Sequence, residues 1–155
     1  MTLLVPLALA LTLLLDPFSD SYGVEDLPTA MALVGGEPIE VRIANTRTAR
    51  AQGFQHASPE QLNTERVLFV WTEPHRPSFH MRNVSAPLDI AWIAEGEVVT
   101  IDRMTPGEQG YRPPEPVDAA LELAPTQTEA MGIEPGTQIE VPRTACSNEA
   151  DLSLY

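Results

Sequence analysis

The stretch Leu88-Asp89-Ile90-Ala91-Trp92-Ile93-Ala94-Glu95-Gly96-Glu97-Val98-Val99-Thr100-Ile101-Asp102-Arg103-Met104 decides the fold. Two apolar runs rich in β-branched residues flank Glu95-Gly96-Glu97, so the chain turns at the glycine and the runs pair as a hairpin. Side chains alternate along a strand. Leu88, Ile90 and Trp92 therefore share one face, while Asp89, Ala91 and Ile93 share the other.

Working outward, the same short periods recur. Residues 105–117 hold four prolines and two glycines and read as an extended loop. Ala119 to Leu123 is a strand, Thr126 to Met131 a short helix, and Gln138 to Val141 a last strand. Upstream, Phe79 to Met81 is a short strand, and Val67 to Trp71 is apolar enough to be buried. Between them Pro74 and Pro77 bound a loop carrying His75 and Arg76. Met31 to Val34 and Ile39 to Ile43 flank Gly35-Gly36-Glu37-Pro38 as a second hairpin. Asn45 or Thr46 caps a short helix that Gly53 stops, and Ser58-Pro59-Glu60 starts a second helical turn. The expected fold is mainly β: a single compact antiparallel sheet or partly closed barrel with two short helices.

A chain of 155 residues fits one domain. Leu3 to Leu15 is uncharged and leucine-rich, too short for a comfortable membrane span but suited to the apolar core of a signal peptide. Residues 1–21 are therefore expected to be a signal peptide or an uncleaved anchor, and the protein to be exported to the periplasm or beyond. Ser19-Asp20-Ser21 is the best cleavage site, no lysine or arginine precedes the apolar run, and no lipobox cysteine follows it. Residues 22–30 read as a linker, 31–143 as the domain, and 144–155 as a polar tail.

Acidic residues outnumber basic ones by 22 to 9, giving a formal net charge of -13. Such a surface repels phosphate backbones and anionic head groups, which argues against nucleic-acid or peripheral membrane partners. The simplest reading of the acidity is solubility or salt adaptation. Cys146 is the only cysteine, so an intramolecular disulfide is excluded.

The segment Ser78-Phe79-His80-Met81-Arg82-Asn83-Val84-Ser85-Ala86-Pro87-Leu88-Asp89-Ile90 resembles the signature of a known family, domain of unknown function one hundred and ninety-two. Its pattern runs roughly F-W-M-[KR]-N-T-x-x-P-L-D-[IV]. Gln52-Gly53-Phe54, Leu68-Phe69-Val70-Trp71, Ala120-Leu121-Glu122-Leu123 and Gly132-Ile133-Glu134-Pro135-Gly136 resemble its other motifs in order. The resemblance spans about residues 39–141. It implies a small β-rich fold, frequent export and no assigned activity. His80 stands where the family usually has tryptophan, and Val84 where it has threonine.

Two carboxylates sit in apolar surroundings and need an account. Asp89 either anchors the preceding loop or serves a site, with Arg82 and Asn83 as its expected partners. Glu122 lies among Leu121 and Leu123; paired with arginine it is structural, paired with Asp89 it is an acid–base couple. His56, His75 and His80 lack metal-ligand spacing, so no metal and no cofactor are expected. No phosphate loop or nucleophile elbow is present. The leading expectation is an extracytoplasmic binding or accessory module for a small molecule or protein partner. Its site is expected to gather His80, Met81, Arg82, Asn83, Asp89 and Glu122 around the Phe79–Asp89 turn. The alternatives are a hydrolase-like enzyme using Asp89 and Glu122, and a structural protein-interaction domain.

Overall fold

The computed structural model describes residues 22–146. The expected signal segment, 1–21, and the end of the tail, 147–155, lie outside the described residues. In chain order the strands are β1 (Thr29–Val34), β2 (Glu37–Ala44), β3 (Val67–His75), β4 (Phe79–His80), β5 (Leu88–Ala94), β6 (Glu97–Met104), β7 (Gln109–Tyr111), β8 (Val117–Leu123) and β9 (Ile139–Glu140). The helices are α1 (Arg47–Gln52), α2 (Pro59–Thr64) and α3 (Pro125–Ala130). All three fall on segments read as helical from the sequence, although the expected fold counted two short helices. Among the described residues no helix is long and apolar enough to cross a membrane.

Seven strands form one sheet in the order β6-β5-β8-β3-β2-β1-β9, and β4 pairs with β7 in a separate ribbon. Every pairing in the sheet is antiparallel except β2 with β3. The hairpin expected at Glu95-Gly96 forms as β5–β6, with Asp89 opposite Arg103 and Ala91 opposite Ile101.

The sheet curls until its two edges touch. Glu97 at the start of β6 bridges Gln138 beside β9, and the Ile139 N–H donates to the Gly96 carbonyl at 2.8 Å. Partial closure of this kind covers the start of the β6 edge, part of the unpaired backbone that would otherwise template aggregation. It also divides the core. All seven strands contribute to the cluster that the curl encloses, including Val34, Val41, Leu68, Ile93, Val98, Leu121 and Ile139. A second cluster lies on the outer face, where Phe69, Leu88, Ile90, Trp92 and Ala120 are covered by Ala49 of α1, Leu62 of α2, Phe54, Met81 and Val84.

Capping explains the covering helices. The Thr46 hydroxyl accepts from the Ala49 N–H at 3.1 Å and so opens α1. Ser58 and Gln61 form a reciprocal capping box at α2, with Pro59 in the first turn. Six-residue helices are too short to be stable alone, so packing on the outer face holds them.

Three boundaries differ from the sequence reading. Residues 22–30 do not behave as a linker: Val24 and Leu27 are fully buried in the outer cluster, and β1 begins at Thr29. Polar neighbours had masked these two apolar positions. The loop 105–117 contains β7, whose pairing with β4 no local pattern signals. Ala145, placed in the tail, is buried, while Cys146 is exposed.

Leu88 is fully buried in the outer cluster. Leu88→Ala is expected to cost about 2–5 kcal/mol, read as a lowered urea midpoint with an unchanged slope. A loss under about 1 kcal/mol would mean that the outer cluster is not a core.

Candidate functional site

Strand alternation fixes where each carboxylate goes. In the β5–β8 pairing Asp89 lies opposite Leu123, and Ile90 lies opposite Glu122. Directly opposed residues share a face. Asp89 therefore sits on the enclosed side with Leu123, and Glu122 on the outer side with Ile90. The acid–base couple of Asp89 and Glu122 does not exist in this fold, because the sheet itself lies between the two groups.

Asp89 is buried and structural. Its carboxylate accepts from Arg103 Nε at 2.9 Å and Nη2 at 3.2 Å, across the hairpin. This fork closes the ion pair in the two-bond geometry that suits guanidinium and carboxylate. Neither Arg82 nor Asn83, the partners expected from sequence, takes part. Arg82 and Asn83 are exposed, and Asn83 turns the chain with a φ of 58° while its amide donates to Gln55. Met81 is fully buried in the outer cluster. The expected site around the Phe79–Asp89 turn is thus dispersed: only His80 and Glu122 reach a common cavity.

That cavity, about 280 Å³, lies on the outer face between α1, the turn after it, β3 and β4. Glu122 of β8 is at its base. The residue is only 4% exposed, and its carboxyl has no hydrogen-bond or ion-pair partner among the described residues. Burial alone pushes its pKa up from the ordinary 4.5 to about 8. The carboxyl is therefore mostly protonated at neutral pH.

Aromatic rings build the walls. Phe69 and Phe79 meet edge to face with centroids 4.7 Å apart, and Trp71 lies 6.3 Å from each. β3 projects Phe69 and Trp71 onto one side by its period of two, and β4 brings Phe79 across to them. Trp92 backs Phe79 at 5.3 Å, its indole N–H held by Asp102 at 2.8 Å.

Helix α1 supplies the cationic wall. Arg50 lies over the Trp71 ring at 6.0 Å, and its Nη1 donates to the carbonyls of Asn45 and Val70. Its pKa falls, chiefly through burial and secondarily through the charge of Arg47. Both arginines line the cavity, and Arg47 is exposed with no ion pair among the described residues. Gly53 then lets the chain pass close over the base. Its φ is +46°, and a Cβ there would stand 3.2 Å from Phe69 Cζ and 3.5 Å from Glu122 Oε2. A side chain would be strained and would press on the carboxyl.

His80 borders the cavity, half-buried, and its Nδ1 accepts from the Arg82 N–H at 3.3 Å. Among the described residues no cluster of histidine, cysteine and carboxylates could hold a metal. Arg50, Gly53, Phe69, Trp71 and Phe79 were missing from the sequence-derived site. The available signals were Glu122 set within an apolar strand and the Gln52-Gly53-Phe54 turn.

A partly closed, mainly β barrel with one aromatic-walled pocket on its outer face defines the class. The chain belongs to the DUF192 family, described as "Uncharacterized ACR", whose profile matches residues 30–141. It is similar to a protein of unknown function from Novosphingobium aromaticivorans DSM 12444, with 27% identity, 76% of this chain and 89% of that one covered, and a TM-score of 0.65. A protein from Sinorhizobium meliloti 1021, provisionally named a transcription regulator, shares the fold at 24% identity and a TM-score of 0.64, covering 74% of this chain and 94% of its own. No curated protein matches the sequence.

The Glu122 carboxyl gives stability a definite pH dependence. Unfolded, it loses its proton near 4.5; folded, it keeps it to about 8. Between these values the folded chain holds the extra proton, so raising the pH favours unfolding, by on the order of 5 kcal/mol in total. Glu122→Gln is expected to remove this slope and to unfold at a higher temperature than the wild type at pH 9. Parallel wild-type and variant melting curves from pH 5 to 9 would show instead that the carboxyl ionises freely in the folded state.

Proposed function

We propose that this protein is an extracytoplasmic binding module that holds a small molecule in the aromatic pocket beneath α1. One observation carries the reading: a nearly fully buried carboxyl without a protein partner opens into the cavity. An unpaired buried polar group is costly, and one that opens into a cavity can be completed by a ligand. The surroundings fit that purpose, being apolar rings with a few convergent polar groups. The size fits as well, since a cavity of about 150 Å³ already takes benzene.

The extracytoplasmic part of the proposal rests on the apolar Leu3 to Leu15 segment. A free cysteine count of one is compatible with that compartment, because no intramolecular disulfide has to form. An interaction domain working through an apolar patch has less support: the large hydrophobic side chains exposed among the described residues are Tyr22 and Met31.

Native mass spectrometry of the full chain, purified from its source without denaturation, tests the pocket. A non-covalent adduct is expected, lost in Ala51→Trp, which fills the cavity mouth from an exposed helix position, and kept in Arg82→Ala on the outer turn. An adduct lost in Arg82→Ala and kept in Ala51→Trp would move the site back to the turn. A clean mass under all conditions would count against a resident ligand.

A further inference from the structure

The pocket has a charge order that restricts what it can hold, and the argument rests on the binding reading above. An acid lies at the base and two guanidinium groups lie in the α1 wall. They do not neutralise each other: burial is the only cause acting on Glu122, with no arginine offsetting it. Arg50 is committed through Nη1 to two backbone carbonyls, and among the described residues its Nε and Nη2 donate to no protein acceptor. The cavity therefore presents an anion-forming group and unused cationic donors that do not pair with each other.

Phe69, Trp71 and Phe79 line the same cavity, with the Phe79 plane at 75° and 78° to the other two rings. Crossed rings around a carboxyl are the arrangement that receives an ammonium group, because ring faces and carboxylate both attract positive charge. A bare amine would meet Arg47 and Arg50 on entry. A bare anion would pair with Arg47 and Arg50 but bring no cation to the ring faces or to the Glu122 carboxyl. A molecule bearing both charges satisfies both kinds of group.

We infer that the ligand is a small zwitterion of amino-acid size, with its ammonium against Glu122 and the aromatic rings and its carboxylate on Arg50 and Arg47. Binding at neutral pH then has a proton cost. Glu122 is protonated in the empty pocket and ionises to pair with the ammonium, so its proton passes to the solvent. The charged and titratable groups facing it are Arg47 and Arg50 from α1 and His80 from β4. Affinity rises with pH between 6 and 8 as the cost of removing that proton falls.

Isothermal titration calorimetry of the full chain tests this with the common L-amino acids, glycine betaine and 4-aminobutyrate. Each is paired with its amine-only and acid-only analogues, in two buffers of different ionisation enthalpy. The expected result is a zwitterion that binds at least tenfold more tightly than either analogue and releases protons on binding at pH 7. Glu122→Gln and Arg50→Gln should each weaken it tenfold or more, and Glu122→Gln should also abolish proton release. An acid-only or neutral analogue binding as tightly as the zwitterion, or binding without proton release, would overturn the inference and leave the pocket reading standing. The same holds if nothing in the panel binds while the native adduct persists and is lost in Ala51→Trp. Failure of the panel together with a clean native mass overturns both.

Discussion

The unpaired Glu122 carboxyl is the constraint around which the outer face is arranged. Period-two alternation in β8 puts Leu121 and Leu123 into the enclosed cluster, so Glu122 must face outward with Ala120. Left exposed it would be an ordinary surface carboxylate. Instead α1, the Gly53 turn and the β4 segment cover that face, because Phe69, Ile90 and Trp92 beside it have to be buried. The same covering that stabilises the apolar neighbours withholds water from the carboxyl. Its proton is the compromise, and the cavity is what remains where helix and ribbon do not meet.

The two acidic residues in the strands have opposite fates for one geometric reason. Asp89 sits opposite Arg103 in the β5–β6 pairing, so a guanidinium is delivered to it by register. Glu122 sits opposite Ile90 and Val67, and neither neighbour carries a charge. A cross-strand partner converts a buried acid into a fastening; its lack leaves an acid available to something that arrives from outside. Glu65, paired with Arg42 at 2.9 Å, follows Asp89, and that pairing lowers its pKa.

Much of the fold was legible because its signals are local. The alternation in Leu88 to Met104, the Gly-containing turns and the Thr46 and Ser58 caps each act within a few residues. Even the separate faces of Asp89 and its neighbours followed from period two. What remained hidden depends on pairing between distant segments. Whether Asp89 and Glu122 share a face is decided by the β5–β8 register, and a one-residue slip would reverse the answer. The pocket was obscured for the same reason: Arg50, Trp71, Phe79 and Glu122 lie on four separate elements. Val24 and Leu27 were hidden differently, since a composition-based linker assignment averages over the two residues that matter. Of the motifs that carry the family resemblance, the Gln52-Gly53-Phe54 turn, the Phe69 and Trp71 strand, the segment 78–84 and Glu122 contribute residues to the pocket lining.

The most direct measurement is a carbon-13 NMR titration of the glutamate side-chain carboxyls from pH 3 to 10, with the Glu122 signal assigned by its absence in Glu122→Gln. A midpoint near 8 is predicted for Glu122, reflecting a buried acid awaiting a partner. A midpoint near 4.5 would contradict the account, because the carboxyl would then be solvated or already paired in the folded chain.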